Sequence, residues 1–417
     1  MAQKKQKSRH PSEPKVGIWI FGALGGLATT LVTGTRAAAK GLMPAQGLLT
    51  ESPLCEGLDF PSLGSMVFGG HEVRRGKPRD AAVEIHERTG TIPYPLLDLL
   101  EEDYRAYGKE IRKGVLTNSG RTIRKMVGSD STAKDDETLL EAVTRLQKEI
   151  KSFKRRNDLS TVLCVNLCST EPKLKLTRTH QTREGLEKAI AKNQQSTVRP
   201  STLYAYAAAS LGLPFLNFTP SNGTLIPAIR EIFEQEGAPY MGSDGKTGET
   251  LVKSALAPMF KYRNLKVLSW QGYNILGDRD GAVLNDAENK ASKVESKDRL
   301  LHSILGYPLH THVGIDYVPS LDDLKTAWDF IHFQGFLGVK MSLQFTWQGA
   351  DAVLAAPLIL DLVRFLELAQ KRGEVGAQPQ LASFFKSPLD CDEHDLHRQW
   401  HDLGRYLDGV RDDSPDK

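Results

Sequence analysis

The chain has 417 residues, enough for two or three domains, and its 40% hydrophobic and 25% charged content is that of an ordinary globular protein. Lys plus Arg number 54 against 51 Asp plus Glu, a surplus of three that is too small to imply nucleic acid. Part of that surplus lies in MAQKKQKSRH, read as a disordered basic tail over residues 1–13.

The run VGIWIFGALGGLATTLV follows a basic start and precedes TRAAAK, an arrangement that resembles a signal peptide. Its four glycines, its adjacent threonines and the two prolines before it fit a strand and a Gly-rich turn better. No other segment approaches the roughly 18 uncharged apolar residues that a membrane span needs, so no membrane partner is expected. Val16 to Phe21 reads as a central parallel strand buried on both faces. The turn GALGGLATT follows, with a helix from about Thr29 to Lys40. Gly22 permits the sharp turn, Gly25 and Gly26 let a pyrophosphate approach the backbone, and Ala28 lets the helix pack on the strand. The spacing is Gly-x-x-Gly-Gly-x-Ala, so both a dinucleotide loop and a close-packed turn remain open. An acidic ribose contact about 20 residues on is not obvious, and Glu51 is a weak candidate.

VFGGHEV (67–73) reads as a second strand ending in a glycine turn, and residues 117–134 as a polar, mobile loop. ETLLEAVTRLQKEIKSF carries Leu139, Leu140, Val143, Leu146, Ile150 and Phe153 on one helical stripe. TVLCVNL (161–167) is the next strand. STLYAYAAASLG then LPFLNFTPS, and PAIREIFEQEG then APYMGSDG, repeat helix and strand. This alternation is the doubly wound pattern, whose ligands gather at the carboxyl ends of the strands.

The pattern changes past Thr250. ETLVKSALAPMF reads as a helix broken near Pro258, LKVLSW and HTHVGIDYV as strands, KTAWDFIHF as a helix, and FLGVKMSLQFTW as a strand with one buried face. ADAVLAAPLILDLVRFLELAQKR is a strong helix that returns the chain to the first domain. The fold class is therefore α/β: a Rossmann-type doubly wound dinucleotide-binding domain over 14–245, an α+β catalytic and oligomerisation domain over 246–350, and C-terminal helices over 351–417.

Between the two LKVLSW and HTHVGIDYV strands lies GDRDG, followed by KASKVESKD. If that segment is helical, Lys293 and Lys297 share a face with Cβ atoms about 5–6 Å apart, where an anion between them would relieve the repulsion. A solvated surface helix explains the run equally simply. Asp278 and Asp280 suit a tight turn, with or without a chemical role. Asp244 and Lys246 lie in a Gly-rich strand-to-helix loop, a favourable place for a phosphate. His394, His397 and His401 share a helical face, and His310 and His312 a strand face; solvated surfaces account for both, and no metal site is expected. Cys55, Cys164, Cys168 and Cys391 show no framework spacing, which suits reduced thiols in a cytoplasm.

Taken together these segments resemble the myo-inositol-1-phosphate synthase (inositol-3-phosphate synthase) family, in its compact prokaryotic form, over most of the chain. The family's glycine loop falls on GALGGLATT, its GGWDI segment on GGHEV, and its PFINGSP segment on PFLNFTPS. Its GDDxKSGQT loop falls on GSDGKTGET, its GNNDG turn on GDRDG, and its RSKEISKS segment on the run with Lys293 and Lys297. GDSK matches Asp323 and Lys325, CEDSLLAxPLI matches GADAVLAAPLI with Asp351, and the last catalytic lysine matches Lys386 in FFKSP. Departures are Asp278 for Asn, Asp316 where many members have Lys, and the altered glycine loop.

The resemblance implies an NAD-dependent isomerase that cyclises glucose 6-phosphate by oxidation, enolisation, aldol closure and reduction, in a homotetramer. It implies catalytic roles for Lys293 (proton transfer at the carbon 5 oxygen), Lys386 (the carbon 1 carbonyl oxygen), and Lys297 and Lys325 (phosphate and enolate). Asp280 and Asp323 would orient those lysines. NAD contacts are implied at Gly22, Ala23, Leu24, Gly25, Gly26, Glu72, Asn217, Asp244, Asp278 and Asp351. Whether a monovalent or divalent cation takes part stays open, with Asp351 and the nucleotide phosphates as contacts. The alternatives are a related cyclase making another cyclitol or carbasugar phosphate, a sugar-phosphate dehydrogenase, and a non-catalytic nucleotide-binding protein.

Overall fold

The computed structural model describes residues 13–133, 136–277 and 300–413. Strand β1 (Lys15–Phe21) is buried from Val16 onward and pairs in parallel with β2 (Met66–Glu72) on one side and β4 (Leu159–Asn166) on the other. With β3 (Ile111–Lys113), β5 (Phe215–Asn217), β6 (Pro239–Gly242) and β11 (Gly376–Ala377), these form a seven-stranded sheet in the order β11-β6-β5-β4-β1-β2-β3, every pair parallel. The strands read as continuous apolar runs because helices cover both faces.

Helix α1 (Gly26–Ala39) follows β1 directly. Helices α2 (Pro78–Thr89), α3 (Tyr94–Leu99) and α4 (Glu101–Lys109) fill the β2–β3 crossover, and α5 (Arg121–Val127) and α6 (Leu139–Arg156) lead to β4. Helix α6 buries Leu139, Val143, Leu146, Ile150 and Phe153 of the anticipated stripe, but Leu140 is exposed and Ala142 lies inside instead; a capping box between Thr138 and Glu141 fixes its start. Helices α7 (Arg183–Ala191), α8 (Pro200–Ala209) and α9 (Pro227–Gln235) complete the layers. In the core, Phe153 lies over Trp19 with ring centroids 5.0 Å apart, and Phe21 stacks on Tyr204 at 4.2 Å. Burying each such ring contributes about 1.5–3 kcal/mol. The Gly-Gly pair of β2 makes this fit: a Cβ at Gly69 would meet Trp19 at 2.8 Å, and one at Gly70 the Ile20 carbonyl oxygen at 2.1 Å.

A second sheet has the order β10-β9-β7-β8. Here β7 (Lys266–Leu276) and β10 (Lys340–Ala350) flank β9 (Leu324–Gln334) in antiparallel register, and β8 (His310–Tyr317) pairs with β7 in parallel. One face is buried: Ala257 and Phe260 of α10 (Gly248–Tyr262) join Val267, Trp270 and Ile331 in a separate apolar cluster.

Helix α11 (Asp351–Lys371) then packs on α1. Its Asp361 accepts from Leu49 N (2.9 Å), Thr50 N (2.9 Å) and Thr50 Oγ1 (2.7 Å), and its Arg364 pairs with Glu51 at 2.6 Å. Glu51 thus serves a structural ion pair, which removes it as a ribose contact. Helix α12 (Leu396–Asp412), capped by Asp395, ends the described chain.

Three expectations fail. KTAWDFIHF is part of strand β9, because its alternation puts Ala327, Asp329 and Ile331 inside while Trp328 points out; the helical spacing of Ala327 and Ile331 is incidental. Of the segment read as a mobile loop, residues 117–133 hold α5 and a 3-10 turn, and Thr132 N bonds the Val73 carbonyl, so this stretch is built onto the end of β2. Helix α10 runs through Pro258 without a break: Pro258 forfeits one backbone bond, and burial of Ala257, Pro258 and Phe260 outweighs that loss.

Candidate functional site

At the nucleotide end, the chain leaves β1 through Gly22, held at φ +91°, where an added Cβ would meet the Leu167 carbonyl oxygen at 3.1 Å. The N–H groups of Gly22 and Ala23 both go to the His71 carbonyl, and Gly25 N to the Gly22 carbonyl. Leu24 N donates to Glu72 Oε2 at 2.7 Å. These bonds shape the loop, so the N–H groups that face an anion are those of the first helical turn, from Gly26 onward. Gly25 is the N-cap and has no side chain to cover them, the turn carries no acidic residue, and a Cβ at Gly26 would meet open space. A pyrophosphate fits there. Helix α1 begins at Gly26, three residues earlier than the spacing suggests, which brings its N-terminus into the glycine turn.

Glu72 stands at the end of β2, 5% exposed, and its Oε1 accepts from Val73 N (2.8 Å) and Arg74 N (3.1 Å). An acidic group locked at this position suits ribose hydroxyls. Beside it His71 is buried and neutral: Trp19 Nε1 donates to its Nδ1 at 2.8 Å, so its Nε2 donates to Glu149 at 2.7 Å. Burial holds its pKa below the usual value, with Glu149 opposing. Asn217, at the end of β5, is fully buried; it accepts from Asn166 at 2.9 Å and donates to the Ser221 carbonyl at 2.9 Å. Asn217 therefore supports the strand ends rather than lining an open surface.

At the lysine end, residues 243–247 form a loop to which two lysine–carboxylate pairs attach. Lys386 Nζ meets Asp244 Oδ1 at 2.8 Å, and the Lys386 N–H donates to the Asp244 carbonyl at 2.8 Å. Asp244 itself has φ +62°. Lys325 Nζ lies 3.8 Å from Asp351 Oδ2, while Thr247 Oγ1 donates to Asp351 Oδ1 at 2.9 Å. Asp323 Oδ2 accepts from Ala352 N at 3.3 Å and its carbonyl from Asp351 N, so it holds the first turn of α11. Asp351 thereby stands with Lys325 rather than with the glycine loop. Lys246 turns the other way: it is 2% exposed, donates to Gln399 Oε1 of α12 at 2.8 Å, and burial pulls its pKa down to about 8. Asp278, Asp280, Lys293 and Lys297 lie outside the described residues.

Residues not anticipated also belong here. Asn166 orients Asn217; its signal was a polar residue at the end of an apolar strand. Glu171, after β4, accepts from Ser201 N (2.8 Å) at the start of α8, and burial pushes its pKa up to about 7. Thr247 at the start of α10 had no signal beyond its place in the loop. Among the described residues no group of three His, Cys, Asp or Glu side chains could hold a metal ion, and no helix is long and apolar enough to cross a membrane.

An NAD-binding family model described as myo-inositol-1-phosphate synthase matches residues 16–407. Inositol-3-phosphate synthase 1 of Bacteroides thetaiotaomicron is 33% identical over 416 residues, covering 94% of each chain. Among solved structures, inositol-3-phosphate synthase of Caenorhabditis elegans shares the fold at TM-score 0.85 and 21% identity, over 96% of this chain and 86% of that one. A myo-inositol-1-phosphate synthase-related protein of Thermotoga maritima matches at TM-score 0.77 and 25% identity, over 94% and 98%. With a glycine turn opening α1 after β1 and a loop after β6 that two lysine–aspartate pairs adjoin, both at the carboxyl ends of the parallel strands, this chain belongs to the myo-inositol-1-phosphate synthase family.

Proposed function

We propose that this chain is an NAD-dependent isomerase that cyclises D-glucose 6-phosphate to 1L-myo-inositol 1-phosphate. The observation that carries the reading is the pairing of Lys386 with Asp244 and of Lys325 with Asp351 around the single loop 243–247. Two preorganised ammonium groups at one place suit a reaction in which several oxygens take on negative charge in turn. NAD, when bound, supplies reversible oxidation of the sugar. Gly22, Ala23, Leu24, Gly25 and Gly26 shape its phosphate turn, and Glu72 faces its ribose. Asp244 and Asp278 complete the contacts, while buried Asn217 supports the strand ends from behind and Asp351 works with Lys325.

The chain's own groups then act in sequence. Lys386 stabilises the oxygen on carbon 1 as the ring closes, and Lys325, with Lys297, holds the phosphate ester and the enolate. Lys293 exchanges a proton at the carbon 5 oxygen. Asp323 and Asp280 orient these lysines. The carboxylates hold the ammonium groups aimed before substrate arrives. On this reading residues 14–245 and 351–417 hold the nucleotide, and 246–350, joined by Lys386 from the C-terminal segment, carry the chemistry and subunit contacts. Tyr273 and Trp328, 45% and 41% exposed on the outer face of the four-stranded sheet, and Phe336 and Leu337, 89% and 84% exposed at the β9–β10 turn, support subunit contacts on this sheet, as the proposed homotetramer requires. Four free cysteines suit a cytoplasmic setting.

One incubation with glucose 6-phosphate and trace NAD+ tests the reading. Inositol phosphate is expected in many-fold excess over NAD+, with no net NADH. Stoichiometric NADH would mark a dehydrogenase, and turnover of a different sugar phosphate alone would mark a related cyclase.

A further inference from the structure

Helix α10 begins at the lysine end of the site, and two of its residues would ordinarily occupy its N-terminal N–H groups. The first is Thr247, the N-cap; its hydroxyl makes no cap bond and instead donates to Asp351, the carboxylate beside Lys325. The second is Glu249, in the first turn, where a carboxylate is attracted by the helix dipole and competes with any incoming anion. Glu249 is instead only 2% exposed and points beneath the four-stranded sheet. There its Oε1 meets Lys253 Nζ at 2.6 Å, one turn along the same helix, and its Oε2 accepts from Asn274 of β7 at 2.6 Å. Lys253 also lies 3.5 Å from Asp329 Oδ1 of β9, which accepts from Trp270 Nε1 at 2.7 Å. Gly272 makes the room: a Cβ there would meet Glu249 Oε1 at 2.6 Å, Lys253 Nζ at 2.9 Å and Asp329 Oδ1 at 3.0 Å.

We propose that Lys253 is a positioning residue for the phosphate end of the substrate: it draws the Glu249 carboxylate under the sheet and pairs with it there, keeping that charge away from the anion held by Lys325 and the start of α10. A buried ion pair of this kind is a poor device for stability, since apolar residues of similar volume do as well. Its value here is the direction in which it pulls a negative charge. The inference rests on the reading that a phosphate ester docks beside Lys325.

The test compares K253M, E249Q and the double variant K253M/E249Q, with folding checked by thermal denaturation. Binding of inorganic phosphate by calorimetry and the KM for glucose 6-phosphate are the readouts, with the KM for NAD as control. K253M is expected to weaken both phosphate binding and glucose 6-phosphate KM by on the order of tenfold, leaving the NAD value unmoved. Adding E249Q is expected to restore both to within about threefold of wild type, because the charge to be hidden is gone. Unchanged phosphate binding in folded K253M would overturn the proposal, as would a double variant that stays weak. If K253M does not fold, E249Q and the double variant decide, since both are expected to bind phosphate alike and a tenfold gap would refute the role. Phosphate binding is read without turnover, so a wild-type enzyme that binds phosphate but ignores glucose 6-phosphate would sink the proposed reaction and leave this inference standing.

Discussion

The two ends of the site are built from different materials. At the end of β1 the groups that face an anion are backbone N–H groups, and what matters is the absence of side chains at Gly22, Gly25 and Gly26. At the loop 243–247 the candidate groups are side-chain charges, each clamped by a carboxylate. The first end is set by space and backbone angle, the second by charge. Substitutions should therefore separate them: an added methyl should damage nucleotide binding, and a removed charge should damage chemistry.

The largest expected effect is at Lys386. Lys386→Met should lower kcat by about 10²–10³-fold, the loss typical of one oxyanion-stabilising donor, while NAD binding followed by calorimetry stays near wild type. Equal loss of NAD binding would break the distinction between the ends. Next comes Lys246, which shares the loop with Asp244 but faces α12. Its folded pKa, about 8, lies below the ordinary 10.5. Between those values the unfolded chain binds a proton that the folded one has released, so stability should rise with pH through that window. At about 1.4 kcal/mol per pKa unit the gain is on the order of 3 kcal/mol. Lys246→Met should flatten the curve of melting temperature against pH between 8 and 10.5, and a slope that persists would rule out Lys246 as its source.

Gly22→Ala should follow. Its φ of +91° and the nearby Leu167 carbonyl oxygen make a methyl costly by roughly 1–2 kcal/mol, so NAD affinity should fall about tenfold while phosphate binding at the other end is untouched. The smallest effect is expected at Arg88 of α2, whose Nε donates to Asp322 at 2.6 Å, just before Asp323 and Lys325. This pair is partly exposed, so Arg88→Ala should cost less than about 1 kcal/mol in stability. A kcat loss of tenfold or more in that variant would show that the two ends are coupled through it.

The parallel sheet was legible because a strand buried on both faces leaves an apolar run that few other structures produce. Helix α6 was legible from its stripe, and the return helix α11 from apolar residues that run most of the way round it. Strand β9 was not, because Ala327 and Ile331 are four apart and mimic a helical face, and although β10 follows it directly, its other antiparallel partner, β7, is remote in sequence. At the site, the pairing of Lys386 with Asp244 crosses 142 positions, and spacing carries no trace of it apart from family likeness. Lys246 and Lys386 look alike as lysines near small residues, yet the bridge between Gly245 and Phe385 sends one into the interior and leaves the other on Asp244. Glu249 and Lys253 are four apart on α10, the spacing of any ordinary surface pair, and only burial under β7 and β9 sets them apart.

The stitch between Thr50 and Asp361 joins groups 311 positions apart, and the edge strand β11 comes later still. A ribosome delivers the chain from its N-terminus, so the strands β1 to β6 emerge long before the helix that covers α1 and the residues that anchor 49–51. During that interval Leu31 and Val32 of α1, buried in the finished core, lack part of their covering. The nascent chain must spend most of its synthesis with an unfinished sheet, which makes the last part of the sequence the step that commits the first part to its final form.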